Sequence, residues 1–327
     1  FIKTAAKIGS GTNKGSFSSA FAFDNGTFSL NDSFTVKGSS TGIGTRFSNI
    51  ATNFSTIDTE TTIFDSSCVL PGTKIITHRG EINVEHTKED DLIKFDFGVQ
   101  INGYIIDSAF THSFNSKYDA LIKASSEATD VGIKMSGDDA SLSEIGSQIQ
   151  EVLESFEVEI DGKIKPVKAT ADLCGHGIGR YQIHSGKAVP NIKFPYPARM
   201  KAEEIYAIET FASTGKGRYI HQGENSHLMI DPQKFAVAKS LTGESKKLYG
   251  SLMKEYFTLP FAKKWMDRKI EGQYQNIEKL FEKLVNKKIV KEYPPLCDAK
   301  GSYVSQKEHT IYIKESGIEV VSKGEDY

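Results

Sequence analysis

Cysteine is scarce in this chain: Cys68, Cys174 and Cys297 are the three among 327 residues, far apart and without zinc-ligand spacing. That excludes a disulfide framework and suits a reducing compartment, so a cytoplasmic location is expected. No apolar run reaches the ~20 residues of a membrane-spanning helix, so no membrane partner is expected. An excess of one charge is also missing. Lys plus Arg number 40 and Asp plus Glu 42, which argues against a dedicated nucleic-acid binder or a sequence-specific DNA contact. A basic-then-apolar leader is not seen, and Phe1 rather than Met opens the chain, so a fragment or a processed end is expected there. The length suits one large domain or two ordinary ones.

Residues 1–66 are Ser, Thr, Gly and Asn with spaced Phe, as in Phe17-Ser-Ser-Ala-Phe-Ala-Phe-Asp-Asn-Gly-Thr-Phe. Helical periodicity is missing, and strand pairs or a loosely ordered arm both fit. In residues 67–89, the run Cys68-Val-Leu-Pro-Gly-Thr-Lys-Ile-Ile-Thr-His-Arg-Gly-Glu-Ile-Asn-Val-Glu85 alternates apolar and polar residues about Arg79-Gly80, a hairpin signal. It resembles the opening block of Hint (intein-type) autoprocessing domains, in which such a Cys attacks its own peptide bond. The later Thr-x-x-His block and the terminal His-Asn pair of that family are absent, so the expectation is a structural Cys68.

The stretch from Lys94 to Phe110 organises the rest. It reads as two strands about Asn102-Gly103, with Asp96 and Asp107 set among apolar residues. Two acids facing one pocket from neighbouring strands repel unless one is protonated or a cation lies between them. The plainer alternative is that one Asp faces solvent or caps a turn.

Further on, Tyr118 to Met135 predicts a helix with Tyr118, Leu121, Ile122, Ser125, Ala128, Val131 and Met135 on one face. Ser141-Leu-Ser-Glu144 is a capping box ahead of the stripe Leu142, Ile145, Ile149, Val152, Leu153 and Phe156. A hairpin is expected about Asp161-Gly162. Gly175-His-Gly-Ile-Gly179 reads as a Gly-rich loop that lets backbone approach whatever His176 binds, and two surface histidines, His176 and His184, are the plain alternative. Glu209 interrupts the apolar strand Ile205–Phe211, and Glu308 is expected at the mouth of a strand. A charged helical insert is expected over about 228–293, within a globular domain spanning 90–327.

Asp96, Asp107, His176, Glu209 and Glu308 together form a hard, oxygen-rich set with one imidazole. That suits two divalent cations, Mn, Co, Fe or Zn, bridged by carboxylates roughly 3.5–4 Å apart. In order and context these residues closely resemble methionine aminopeptidases of type 2. The motifs are Asp96-Phe-Gly, Ile106-Asp-Ser-Ala-Phe, Gly-His-Gly at 175–177, Ala207-Ile-Glu-Thr-Phe, Ser213-Thr-Gly-Lys-Gly, Tyr293-Pro-Pro-Leu, Gln306-x-Glu-His-Thr and Gly324-Glu-Asp-Tyr. The resemblance implies an α/β (α+β) pita-bread fold with a helical insertion and an atypical or replaced N-terminal half-lobe. It implies a monomeric metallo-exopeptidase that removes the N-terminal Met of nascent polypeptides by a dinuclear, metal-activated water, with the ribosome as a further partner.

Carried over by position, Asp96, Asp107, His176, Glu209 and Glu308 resemble the metal ligands, with Glu209 as base. His184 resembles a histidine that hydrogen-bonds substrate, and Ile183, His227 and Tyr293 match positions lining the Met pocket. The family has a further His about twenty residues upstream of the first Asp; here His78, eighteen residues upstream, could take that role. Lys307 stands where an aromatic residue is expected. A second reading is a catalytically impaired relative that binds ribosome, RNA or protein, and a third is self-cleavage at Cys68.

Overall fold

The computed structural model describes residues 4–5, 61–65, 75–78, 91–101, 103–222, 225, 227–263, 273–274 and 276–323, with side chains from residue 91 onward except at 97, 99 and 101. Its frame is one large, mostly antiparallel sheet. The strands that matter are β1 (Thr61–Asp65), β2 (Ile75–His78), β3 (Leu92–Ile101), β4 (Tyr104–Ser113), β5 (Cys174–Ile178), β6 (Ala188–Pro190), β7 (Ile205–Ser213), β8 (His227–Ile230), β9 (Val290–Tyr293) and β10 (Val304–Lys314). Along the sheet the order is β6-β5-β7-β10-β4-β3-β1-β2. The hairpin expected about residues 102–103 is β3–β4, paired from Leu92↔Ser113 to Ile101↔Tyr104.

Alternation gives the central strands two different faces. On one face, Tyr206, Ile208 and Ala212 of β7 and Ile311 and Ile313 of β10 bury against two helices. These are α1 (Asp119–Met135) and α2 (Leu142–Glu154). Helix α1 presents Leu121, Ala124, Ser125, Ala128, Thr129, Gly132 and Ile133 to the core, whereas Val131 and Met135 are only half-buried. The buried face is thus rotated from the expected one, because small residues let the helix lie close to the sheet. A Cβ on Gly132 would stand 2.8 Å from Ile208 Cγ2. Ser141 caps α2 as expected, its Oγ accepting the Glu144 amide at 3.3 Å, a contact worth about 1 kcal/mol. Leu142, Ile145, Ile149 and Leu153 fill the α2 side, each contributing about 1.5–3 kcal/mol by burial. The hairpin at 161–162 joins Glu157–Ile160 to Lys163–Pro166.

Between β8 and β9 lies a unit with its own core. The two strands form an antiparallel ribbon, His227↔Tyr293 to Ile230↔Val290. Helices α3 (Gly243–Glu255) and α4 (Ile277–Asn286) pack on one of its faces, joining Leu248, Leu252, Phe281 and Leu284 to Leu228, Ile230 and Val290. The ribbon's other face carries Met229 and Tyr293, which cluster with Ile183, Leu259 and, on the second face of the large sheet, Ile105, Ile178 and Ala207. Strand alternation gives His227 that same side.

Two further expectations change. His176 lies on strand β5, not in a loop, because β5 is held between β6 and β7. Glu308 sits in the middle of the eleven-residue β10, not at its mouth; β10 is covered on both faces, so polar neighbours did not mark its centre. Residues 75–78 pair with Thr61–Asp65, and β1 in turn pairs with β3. Cys68 and the arm expected after Arg79-Gly80 lie outside the described residues. Among the described residues, no helix is long and apolar enough to cross a membrane.

Candidate metal centre

Register alone collects the acids. Asp96 pairs with Ala109, Ala109 with Glu308, and Glu308 with Glu209. The four residues form one lateral row across β3, β4, β10 and β7, with their side chains on one face. Asp107 lies two residues from Ala109 and therefore shares that face. His176 pairs with Ala207, two residues from Glu209, and joins them. A Cβ on Gly175 would stand 2.4 Å from the Ala207 carbonyl, so glycine lets β5 close up on β7 and bring His176 in.

The outcome is two overlapping ligand sets. Asp107, His176 and Glu308 form one, and Asp96, Glu209 and Glu308 the other, each offering atoms within 4.8 Å of one another. His176 Nε2 lies 3.8 Å from Asp107 Oδ2 and 3.9 Å from Glu308 Oε1. Glu308 and Asp107 are each only 1% exposed. Both Glu308 oxygens and Asp107 Oδ1 lack a hydrogen-bond partner. Buried anionic oxygens left this way are costly. Burial, then the charge of Asp96, pushes the Asp107 carboxyl well above its ordinary range. Burial, then Asp96 and Asp107, does the same to Glu209. Burial, then Asp107, Glu209 and Asp96, raises Glu308. Burial, helped by His184, pushes His176 down to about 3, which leaves a neutral imidazole able to donate a lone pair to a metal.

Divalent cations would relieve the orphaned oxygens and the mutual repulsion together, and would take the lone pair of the neutral imidazole. The residues present fit such ions, since carboxylates with one imidazole suit Mn, Fe, Co or Zn alike.

The remaining residues singled out in the sequence surround this centre. His184 lies edge-on to His176, ring centroids 4.4 Å apart, and its ring is 6.2 Å from that of Tyr293. Ile183 is buried beside Ile105, Ile178, Met229 and Tyr293, and His227 is buried at 4% exposure. Ile183 and Tyr293 thus belong to a buried apolar cluster, and His184 joins it to His176. His78 pairs with Thr61, while Thr62 pairs with both Thr77 and Asp96. The backbone of His78 is therefore one register position off the row of acids, and its side chain lies outside the described residues.

Sequence reasoning missed two residues that hold the acids. Gln306 Nε2 donates to Asp96 Oδ2 at 3.0 Å and to Glu209 Oε1 at 2.7 Å. Its position two residues from Glu308 was the available signal, because alternation puts both on one face. Asn191, 1% exposed, donates to the Glu209 carbonyl at 2.9 Å and accepts the Phe211 amide at 2.9 Å. Nothing local in the sequence marks that contact.

Residues 52–238 match the metallopeptidase family M24. The chain is 46% identical to methionine aminopeptidase 2 of Komagataella phaffii over 240 residues, 73% of this chain and 53% of that one. It is 45% identical to methionine aminopeptidase 2A of Arabidopsis thaliana over 238 residues, again 73% and 53%. The chain thus spans about half the length of the curated relatives it matches. Among solved structures, a thermophilic Arx1 superposes with a TM-score of 0.61 at 16% identity, over 82% of this chain and 76% of that one. That likeness concerns the fold, the pita-bread architecture expected from the motifs. The M24 match runs through residues 68–85, and the Hint resemblance there gains no support from any of these similarities.

Proposed function

The chain belongs to metallopeptidase family M24, and from that premise we propose that it is a metal-dependent aminopeptidase that removes N-terminal methionine from polypeptides. The observation that carries this reading is the convergence of Asp96, Asp107, His176, Glu209 and Glu308 beside a buried apolar cluster. Similarity to proteins named methionine aminopeptidase 2 supports the substrate.

Asp107, His176 and Glu308 would hold one divalent ion, and Asp96, Glu209 and Glu308 a second. Such a pair, when bound, supplies Lewis acidity and lowers the pKa of water. The chain's own residues do the rest. Gln306 anchors Glu209 through Oε1, which leaves the other carboxylate oxygen to take a proton from the attacking water and return it to the departing amine. His184, at the rim of the centre, hydrogen-bonds the substrate backbone. Ile183, His227 and Tyr293, with Met229 between, receive the thioether side chain; a flexible, polarizable chain suits apolar surroundings of this kind. The ribbon β8–β9 keeps water from that side. No step is assigned to His78, whose side chain lies outside the described residues.

The substrates would be nascent chains and the setting cytoplasmic, with the helical insert near 228–293. The alternative of a non-catalytic binding module leaves the five clustered ligands and their repulsion without a purpose.

Two measurements test the proposal. Metal analysis of the purified chain should return close to two ions per chain after loading with Mn(II) or Co(II). Incubation with a Met-Ala-Ser peptide should then release free Met, and chelation should stop it. Full metal loading with no Met released would point to the binding-module alternative.

A further inference from the structure

The four acids and the imidazole come from two halves of the sheet. β3 and β4 carry Asp96 and Asp107, while β10, β7 and β5 carry Glu308, Glu209 and His176. The halves meet where β4 pairs with β10, and that seam has two direct register pairs, Glu308↔Ala109 and His309↔Ser108. Continued in both directions, the same register sets Asp107 opposite Thr310 and Thr111 opposite Gln306.

At both positions a threonine hydroxyl stands between the strands. Thr310 Oγ1 accepts the Asp107 amide at 2.7 Å and donates to the Asp107 carbonyl at 2.7 Å. Thr111 Oγ1 accepts the Gln306 amide at 2.7 Å and donates to the Gln306 carbonyl at 2.9 Å. Each hydroxyl thus takes over both backbone bonds of one residue. The Thr310 amide is turned elsewhere, to Ser322 Oγ at 3.0 Å, and its carbonyl accepts from the Val321 amide at 2.9 Å. All four bridged residues are buried: Asp107 at 1% exposure, Thr310 at 0%, Thr111 at 6% and Gln306 at 4%. A direct ladder closes strands to about 4.8 Å. On either side of Glu308 a side-chain oxygen therefore stands in for the direct ladder bonds between the two strands.

We propose that Thr310 and Thr111 are positioning residues that set the width of this seam, and so hold the acids of the two halves at the spacing that a pair of divalent cations requires. The inference rests on the metal-dependent reading above. One bridge fixes the main chain of Asp107, a ligand. The other fixes the main chain of Gln306, whose amide links Asp96 to Glu209 across the seam.

The test uses the full chain and Mn(II), by calorimetric titration and by electron paramagnetic resonance of the loaded protein, alongside metal-free melting curves. Thr310→Val and Thr111→Val keep the shape and remove the hydroxyl; Thr310→Ser and Thr111→Ser keep it. The Val variants should bind Mn(II) about 10–100-fold more weakly, the usual effect of losing an outer support, and should lose or change the spin-coupled two-Mn signal. The Ser variants should stay within about twofold of the parent, with its spectrum. Val variants that melt lower yet bind Mn(II) with parental affinity and spectrum would overturn the proposal, as would Ser variants impaired as much as Val. Should Thr310→Val not fold, the Thr111 pair decides, since Thr111 touches none of the five ligands. A parent chain that binds no Mn(II) overturns the metal reading as well; a parent that binds two ions while the Val variants match it overturns only the role of the threonines.

Discussion

The two faces of strands β7 and β10 use the same backbone for opposite ends. On the helix face, polar groups are satisfied as they are buried. Thr129 and Thr210 hydroxyls share a bond of 2.8 Å, Thr210 Oγ1 donates to the Ser125 carbonyl at 2.8 Å, and Ser305 Oγ donates to the Leu121 carbonyl at 2.6 Å. On the site face, Glu308 is buried just as deeply with neither carboxylate oxygen bonded. One face is closed in itself; the other is incomplete without cations. The comparison teaches that this sheet keeps its stability and its chemistry a single residue apart, separated by nothing but the direction of alternate side chains.

The strongest way to break that comparison is Glu209→Ala. Under the proposed function, metal-dependent release of Met should fall by about a thousandfold or more, since a proposed ligand that is also the proposed proton carrier is lost, while far-UV circular dichroism stays unchanged. Full retention of activity would refute the ligand set. Leu121→Ala tests the other face. It should cost about 2–5 kcal/mol of stability by leaving a cavity under α1, read from denaturant titration, yet leave the number of Mn(II) ions per folded chain unaltered. A changed stoichiometry would mean that the faces are not separable.

Loading with Mn(II) sharpens the contrast. At a free concentration a hundred times Kd it should stabilise by about 2.7 kcal/mol. The gain should grow with pH. Asp107, Glu209 and Glu308 have carboxyls raised in the fold, so the native state binds more protons than the unfolded one. Metal-free stability is therefore fullest below the ordinary carboxylate values and falls as pH climbs through the raised ones. His176, pushed down to about 3, acts in the opposite sense, because its unfolded form takes a proton below about pH 6.5. From that pH upward the imidazole is neutral in both states; the carboxylates then lower stability as pH rises, opposed above about pH 7 by Lys307, which burial pushes down to about 7. Bound cations displace the carboxyl protons and should flatten that fall. Parallel pH–melting curves with and without metal would expose the error.

Much of this was legible before any coordinates. Acids embedded in apolar strands are costly enough to stand out, and Asp96, Asp107 and Glu209 did so. The Ser141 cap and the turn at 161–162 were equally plain, because each depends on residues a few positions apart. The buried face of α1 was not. Which of Val131 and Ile133 goes inward depends on the sheet beneath, where Gly132 meets Ile208. Glu308 and His176 were recognised as chemistry but set in the wrong local frame, since β10 and β5 are strands by virtue of neighbours more than a hundred residues and about thirty residues away, respectively.

The sequence by itself marked the candidate donors, acids set against the apolar grain of their strands and a histidine between glycines, and it indicated the helices through periodicity and capping. Tertiary structure alone decided that those donors share one face and one row, since pairing register is a relation between strands and no single strand contains it. It also decided where Gln306, Asn191, Thr111 and Thr310 act, because a hydrogen bond across β3, β4, β7 and β10 depends on distances that separation along the chain does not encode.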